Sequence, residues 1–162
     1  MRFSHEMRYD RSPEQVHAML MEPAFREAVC EAATATIRYD VDVTATGDEA
    51  TVRVEQWQPA THIPSFARKF VGDEIEIRQT ETWSDPSGAS LVVEIPGKPG
   101  RLTGTITLAA DGDGTVETVS GELKVGIPMV GGKLEKMISD LLVVALRSEE
   151  RVGRSWLARD RA

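Results

Sequence analysis

One long amphipathic segment closes this chain, and it limits what the rest can fold into. From about Met129 to Leu157, apolar Leu134, Met137, Ile138, Leu141, Leu142, Ala145, Leu146, Val152 and Trp156 recur at helical spacing. Polar Lys136, Asp140, Arg147, Glu150 and Arg154 stand between them. At 1.5 Å per residue, this stretch predicts a helix on the order of 40 Å long, enough to cross a small sheet. Gly153 is a weak point near its end.

The residues before it follow a different period. Phe3, His5, Met7 and Tyr9 alternate with polar neighbours, which predicts a half-buried strand over 2–10. Ser12-Pro13-Glu14-Gln15 places an N-cap, a helix-initial proline and a reciprocal cap partner in order. A helix is expected from Pro13 through Val16, Met19 and Leu20. Pro23 breaks it before a second short helix through Phe25, Val29 and Ala32. From Thr34 to Ile127 the chain is rich in Val, Ile and Thr and is cut at intervals by turns. Thr46-Gly47-Asp48, Asp85-Pro86-Ser87-Gly88, Gly97-Lys98-Pro99-Gly100 and Asp111-Gly112-Asp113-Gly114 separate alternating runs that read as an antiparallel meander. Residues 59–73 interrupt it with Pro59, Pro64 and the stretch SFARKF, read as one helical turn in a mobile or gating segment. A one-faced antiparallel sheet needs a cover, and the C-terminal helix is the large element left to supply it. One helix does not fill a strongly curved sheet, so a cavity between them is expected.

Composition removes several function classes. The 162 residues carry 19 Lys+Arg against 26 Asp+Glu, a formal net charge of −7, which disfavours a nucleic-acid partner. The start, MRFSHEMRYD, lacks the apolar core of a signal peptide. The apolar run Leu141–Leu146 falls far short of the roughly 20 residues of a membrane span. A single domain over 1–162, without stable membrane insertion, is expected in the cytoplasm. The lone Cys30, beside Ala28, Val29, Ala32 and Ala33, fits a reducing compartment and reads as a buried small hydrophobe.

No strong catalytic, metal or nucleotide motif emerges. Gly126–Leu134 lies between a strand and a helix, as a phosphate loop does, but Gly132 displaces the lysine and Leu134 stands where Ser or Thr is needed. Asp111, Asp113 and Glu122 have calcium-loop spacing, yet Val116 occupies the position that requires glycine. His5, His17 and His62 show no metal-ligand spacing. No cofactor and no metal are expected. The informative anomaly is polarity in apolar register: Gln56 follows Val52 and Val54, and Gln79 and Glu81 follow Ile75 and Ile77. Either these side chains point into a cavity and orient an amphipathic ligand, or a strand end or bulge turns them to solvent. Trp57 and Trp83 read as core or rim packing.

The order of elements, together with Phe3, Tyr9 and Ser12-Pro13 at the start, Gln79-Thr80-Glu81-Thr82-Trp83 in the middle and Pro128–Glu135 opening the last helix, resembles the START-like (SRPBCC) superfamily. Within it the chain looks like a bacterial family of unknown function. The resemblance implies an α+β helix-grip fold: a seven-stranded curved antiparallel sheet wrapped around the C-terminal helix, two short helices after the first strand, and an apolar pocket between sheet and helix. The leading expectation is a non-enzymatic binder or carrier of a hydrophobic or amphipathic small molecule, such as a lipid, with Met129, Met137 and Ile138 adaptable around it. Its expected lining is Val54, Gln56, Ile77, Gln79, Trp83, Val93, Ile106, Leu123, Met137, Ile138 and Leu141. Two alternatives stand beside it: a cyclase, dehydratase or hydrolase using His62, Glu81 or Tyr39 as acid or base, and a co-chaperone-like module binding protein through an apolar patch. Oligomeric state is left open.

Overall fold

The computed structural model describes residues 1–33 and 35–159. In chain order it contains β1 (Arg2–Tyr9), α1 (Pro13–Leu20), α2 (Pro23–Ala32), β2 (Arg38–Thr46) and β3 (Glu49–Pro59). After a 3-10 turn at Ala60–His62 come α3 (Ser65–Val71), β4 (Glu74–Asp85), β5 (Gly88–Glu94), β6 (Arg101–Asp111), β7 (Gly114–Lys124) and α4 (Gly131–Arg159). Among the described residues the strands form one antiparallel sheet of seven in the order β1-β7-β6-β5-β4-β3-β2. Consecutive strands from β2 to β7 are sheet neighbours, β3 and β4 being joined through the 3-10 turn and α3, and β1 lies at the other edge against β7.

Local chemistry accounts for these elements. The Ser12 side chain accepts from the Gln15 amide while Gln15 reaches back to the Ser12 amide, so the start of α1 is reciprocally capped. Gly47 and Gly112 adopt φ of +63° and +59° in the β2–β3 and β6–β7 turns, where residues with a Cβ are strained.

Gly104 and Gly121 face each other across β6 and β7. A Cβ on Gly104 would lie 1.9 Å from the Ser120 carbonyl oxygen, and one on Gly121 would lie 2.4 Å from that of Thr103. Only glycine permits this approach. Gly153, expected to weaken the last helix, has a packing role instead. It is buried, and a Cβ there would come within 2.7 Å of the Tyr9 ring, so its absence lets α4 settle on β1.

Two apolar clusters result. The larger joins the inner faces of β1, β3–β7, α1 and α2 to the C-terminal half of α4 through Met7, Phe25, Trp83, Leu102, Leu157 and their neighbours. The smaller gathers Ala60, Ile63 and Ala67 with Ile75, Val125 and Leu134. This second cluster corrects the reading of 59–73 as a single helical turn: burial of Ile63 and Ala67 makes Ser65–Val71 a seven-residue helix docked at the sheet's open end. No helix among the described residues is long and apolar enough to cross a membrane.

Candidate functional site

The N-terminal half of α4 stands off the sheet and leaves a cavity of about 640 Å³. Its walls follow the strand register. Gln79 on β4 pairs with Val93 on β5, Val93 with Leu102 on β6, and Leu102 with Leu123 on β7, so one row of inward residues crosses the floor. Gln56 opposite Ile77 and Gln58 opposite Ile75 form the adjoining wall. Leu134, Met137, Ile138, Leu141 and Leu142 on α4 make the roof, Ala67 and Phe70 on α3 one end, and Val29 and Ala32 on α2 another. Leu141 and Val144, 42% and 64% exposed, lie on the α4 wall where the cavity meets solvent. Lys98, Arg101 and Arg151 are the basic residues of its wall.

Of the eleven residues expected to line a pocket, Gln56, Ile77, Gln79, Val93, Leu123, Met137, Ile138 and Leu141 border this cavity. Val54, Trp83 and Ile106 do not. Val54 and Trp83 are buried in the main core, because the sheet's coiling brings α1, α2 and the end of α4 down on that part of β3 and β4. Ile106 instead borders a second, smaller hollow of about 30 Å³. That hollow shares Gln79, Val93, Leu102 and Leu142 with the large cavity and lies next to it.

The polar residues at this inner end form a network that reading along the chain did not assemble. Glu81, 1% exposed, accepts both guanidinium nitrogens of buried Arg26 at 2.8 Å, the Trp83 indole N–H at 2.9 Å and the Gln79 amide. Arg26 donates its Nε to the Leu20 carbonyl and places a second nitrogen 3.9 Å from Glu149. Glu117, 2% exposed, lies on β7 opposite Met7 and Leu108, and its Oε1 has no hydrogen-bond partner. Burial, then the neighbouring Glu149 and Glu81 carboxylates, raises the Glu117 carboxyl well above the usual range. Burial also pushes Glu149 up to about 7, although Arg26 opposes it. Gln79 and Glu81 therefore do face inward, and the anomaly in the strand pattern marks the inner end of the cavity.

The signals for the missed residues were present but weak. Glu117 keeps the inward parity of Val119, and Glu149 falls three positions after Leu146 and seven after Leu142. Arg26 lies next to Phe25 and one turn before Val29 and Cys30 on a short helix.

Of the residues weighed as acid or base, Glu81 and Tyr39 are engaged by different partners. Glu81 is fully engaged by its four donors. The Tyr39 hydroxyl donates to Glu31, which pushes it up to about 12, and Tyr39 is not part of the cavity wall. The His62 side chain lies outside what the structure describes. Cys30 is buried, and desolvation pushes its thiol up to about 12, as expected of a small core residue.

Residues 4–157 match the profile of the family described as Protein of unknown function (DUF2505). An uncharacterized protein of Mycobacterium tuberculosis is 28% identical over 163 residues, covering 92% of each chain. Among solved structures, a Thermus thermophilus protein covers 100% of both chains at 16% identity with a TM-score of 0.68. The di-domain ARO/CYC StfQ from the steffimycin biosynthetic pathway matches 99% of this chain and 51% of its own at 11% identity and TM-score 0.65. Norcoclaurine synthase from Thalictrum flavum, in complex with dopamine and hydroxybenzaldehyde, matches 98% of this chain and 87% of its own at 14% identity and TM-score 0.62. These likenesses establish the START-like helix-grip fold.

Proposed function

The chain belongs to the DUF2505 family, and we propose that it binds and carries an apolar or amphipathic small molecule between its sheet and α4. The observation that carries this reading is the 640 Å³ cavity, walled by inward-facing Ile, Val, Leu, Met and Phe side chains with a few amides set among them. This volume lies within the range of about 300–1,000 Å³ typical of small-molecule sites. An apolar wall favours the ligand's hydrocarbon through burial, at about 25 cal/mol per Å² removed from water, and the amides fix its orientation. Support also comes from the solved complex of norcoclaurine synthase, which holds two small aromatic molecules on the same fold.

The test is titration with Nile red, whose emission rises on leaving water, in the wild-type chain and in Met137→Trp. Met137 lies in the roof, so an indole there fills the space. Saturable binding of one dye per chain, weakened at least about tenfold in the folded variant, is the expected result. Equal binding by both chains would place the site elsewhere.

A further inference from the structure

The large cavity does not end in hydrocarbon. Gln79, Val93, Leu102 and Leu142 border both it and the hollow of about 30 Å³ walled by Glu81, Glu117 and Glu149, so the two spaces are adjacent. A single water needs about 10–15 Å³ on this measure, so the hollow admits a small polar group and not a bulky one.

The charges around it are unequal. Glu81 on β4, Glu117 on β7 and Glu149 on α4 supply three carboxyl groups, with Glu150 following on α4. The cation set among them is Arg26 on α2, already bound by Glu81 and the Leu20 carbonyl. From β1, Phe3 completes the wall, and the nearby Tyr9 O–H is turned to Met7 Sδ. Among the described residues, no unpaired guanidinium lines this hollow to receive an anionic ligand group. A group bearing N–H donors and positive charge meets Glu117 Oε1, which has no partner.

We propose that the hollow is a head-group subsite for a primary ammonium, so that the carried molecule is an amphipathic amine lying amine-first, with its apolar body in the large cavity. This rests on the ligand-binding reading above. Glu117 is the receiving carboxylate, with Glu149 as its neighbour across the hollow. An entering ammonium favours the ionised form of Glu117, so a proton that burial holds on this carboxyl leaves to solvent and a carboxylate–ammonium pair remains. The competing arrangement is tail-first, with an anionic head held at Lys98, Arg101 and Arg151.

The test is calorimetric titration of the full chain with decylamine, decyltrimethylammonium, decanol and decanoate, each in two buffers of different ionisation enthalpy. The trimethylated head keeps the charge but has no N–H and is too large for the hollow, so it controls for attraction to an acidic protein. Expected is one decylamine per chain, bound at least about tenfold tighter than the other three, with net proton release. Glu117→Gln should abolish that preference and the proton release while leaving decanol binding within about threefold. Glu149→Gln, and the head-group series in the wild-type chain, keep the test decisive if Glu117→Gln does not fold. Equal binding of all four, or tightest binding of decanoate, overturns the amine subsite and leaves the cavity reading standing. Failure of decanol and decylamine alike to bind one per chain overturns both.

Discussion

Without its guanidinium, Arg26 would leave the Glu81 carboxylate buried among apolar side chains with only Gln79 and Trp83 as donors. Breaking such a pair from one side typically costs about 3–5 kcal/mol, because the remaining charge is uncompensated. Arg26→Met should lower unfolding free energy by about that amount in urea denaturation; a loss under about 1 kcal/mol would mean that the network reorganises freely. Glu117 and Glu149 act in the opposite sense. Both hold protons in the folded chain that they release in the unfolded chain above their ordinary value of 4.5. Their contribution to stability therefore falls as pH rises above that value, and Glu149 stops adding to the slope once pH passes about 7. Urea midpoints between about pH 5 and 8 should fall less steeply in Glu117→Gln than in the wild type. Parallel curves would show that Glu117 ionises normally in the fold. Gln79 and Glu81 were legible in the sequence because each breaks an apolar alternation within its own strand. Arg26, Glu117 and Glu149 come from three separate elements, and spacing along a chain carries no information about their convergence.

Elements were read more completely than side-chain groupings, since the periods of strand and helix are local and the capping box at Ser12 and Gln15 fixes the start of α1. Where the reading fell short, tertiary packing had decided. The α3 segment is longer than its prolines suggested because the second apolar cluster stabilises it, and Gly153 is tolerated within α4 because Tyr9 occupies the space a side chain needs. That glycine gives a test at this scale. In an isolated helix Gly→Ala gains about 1 kcal/mol. Here Gly153→Ala should instead destabilise by about 1–3 kcal/mol as Tyr9 and Met19 are displaced, lowering Tm by several degrees in calorimetry. A raised Tm would show that α4 does not rest on β1 as described. Gly104→Ala should be worse, because the obstruction is the Ser120 backbone and not a movable side chain.

For the whole molecule, curvature, cover and cavity have one cause. The Gly104–Gly121 contact lets the sheet coil, the close seating of Gly153 on Tyr9 fixes the end of α4, and α3 closes the other end. The helix then spans a concave floor that its side chains fill only at the C-terminal half, which leaves the large apolar cavity under Met137, Ile138 and Leu141. The alternation and the long amphipathic tail made this architecture readable, whereas the depth and polarity of the cavity depended on how far the sheet bends. The central claim is that this space holds a small molecule. Native mass spectrometry of gently purified protein, followed by solvent extraction, tests it most directly. The expected spectrum shows the chain with one passenger of apolar or amphipathic character, absent from Met137→Trp. A wild-type chain that carries nothing, and stays empty after incubation with excess decylamine and decanol, would contradict it.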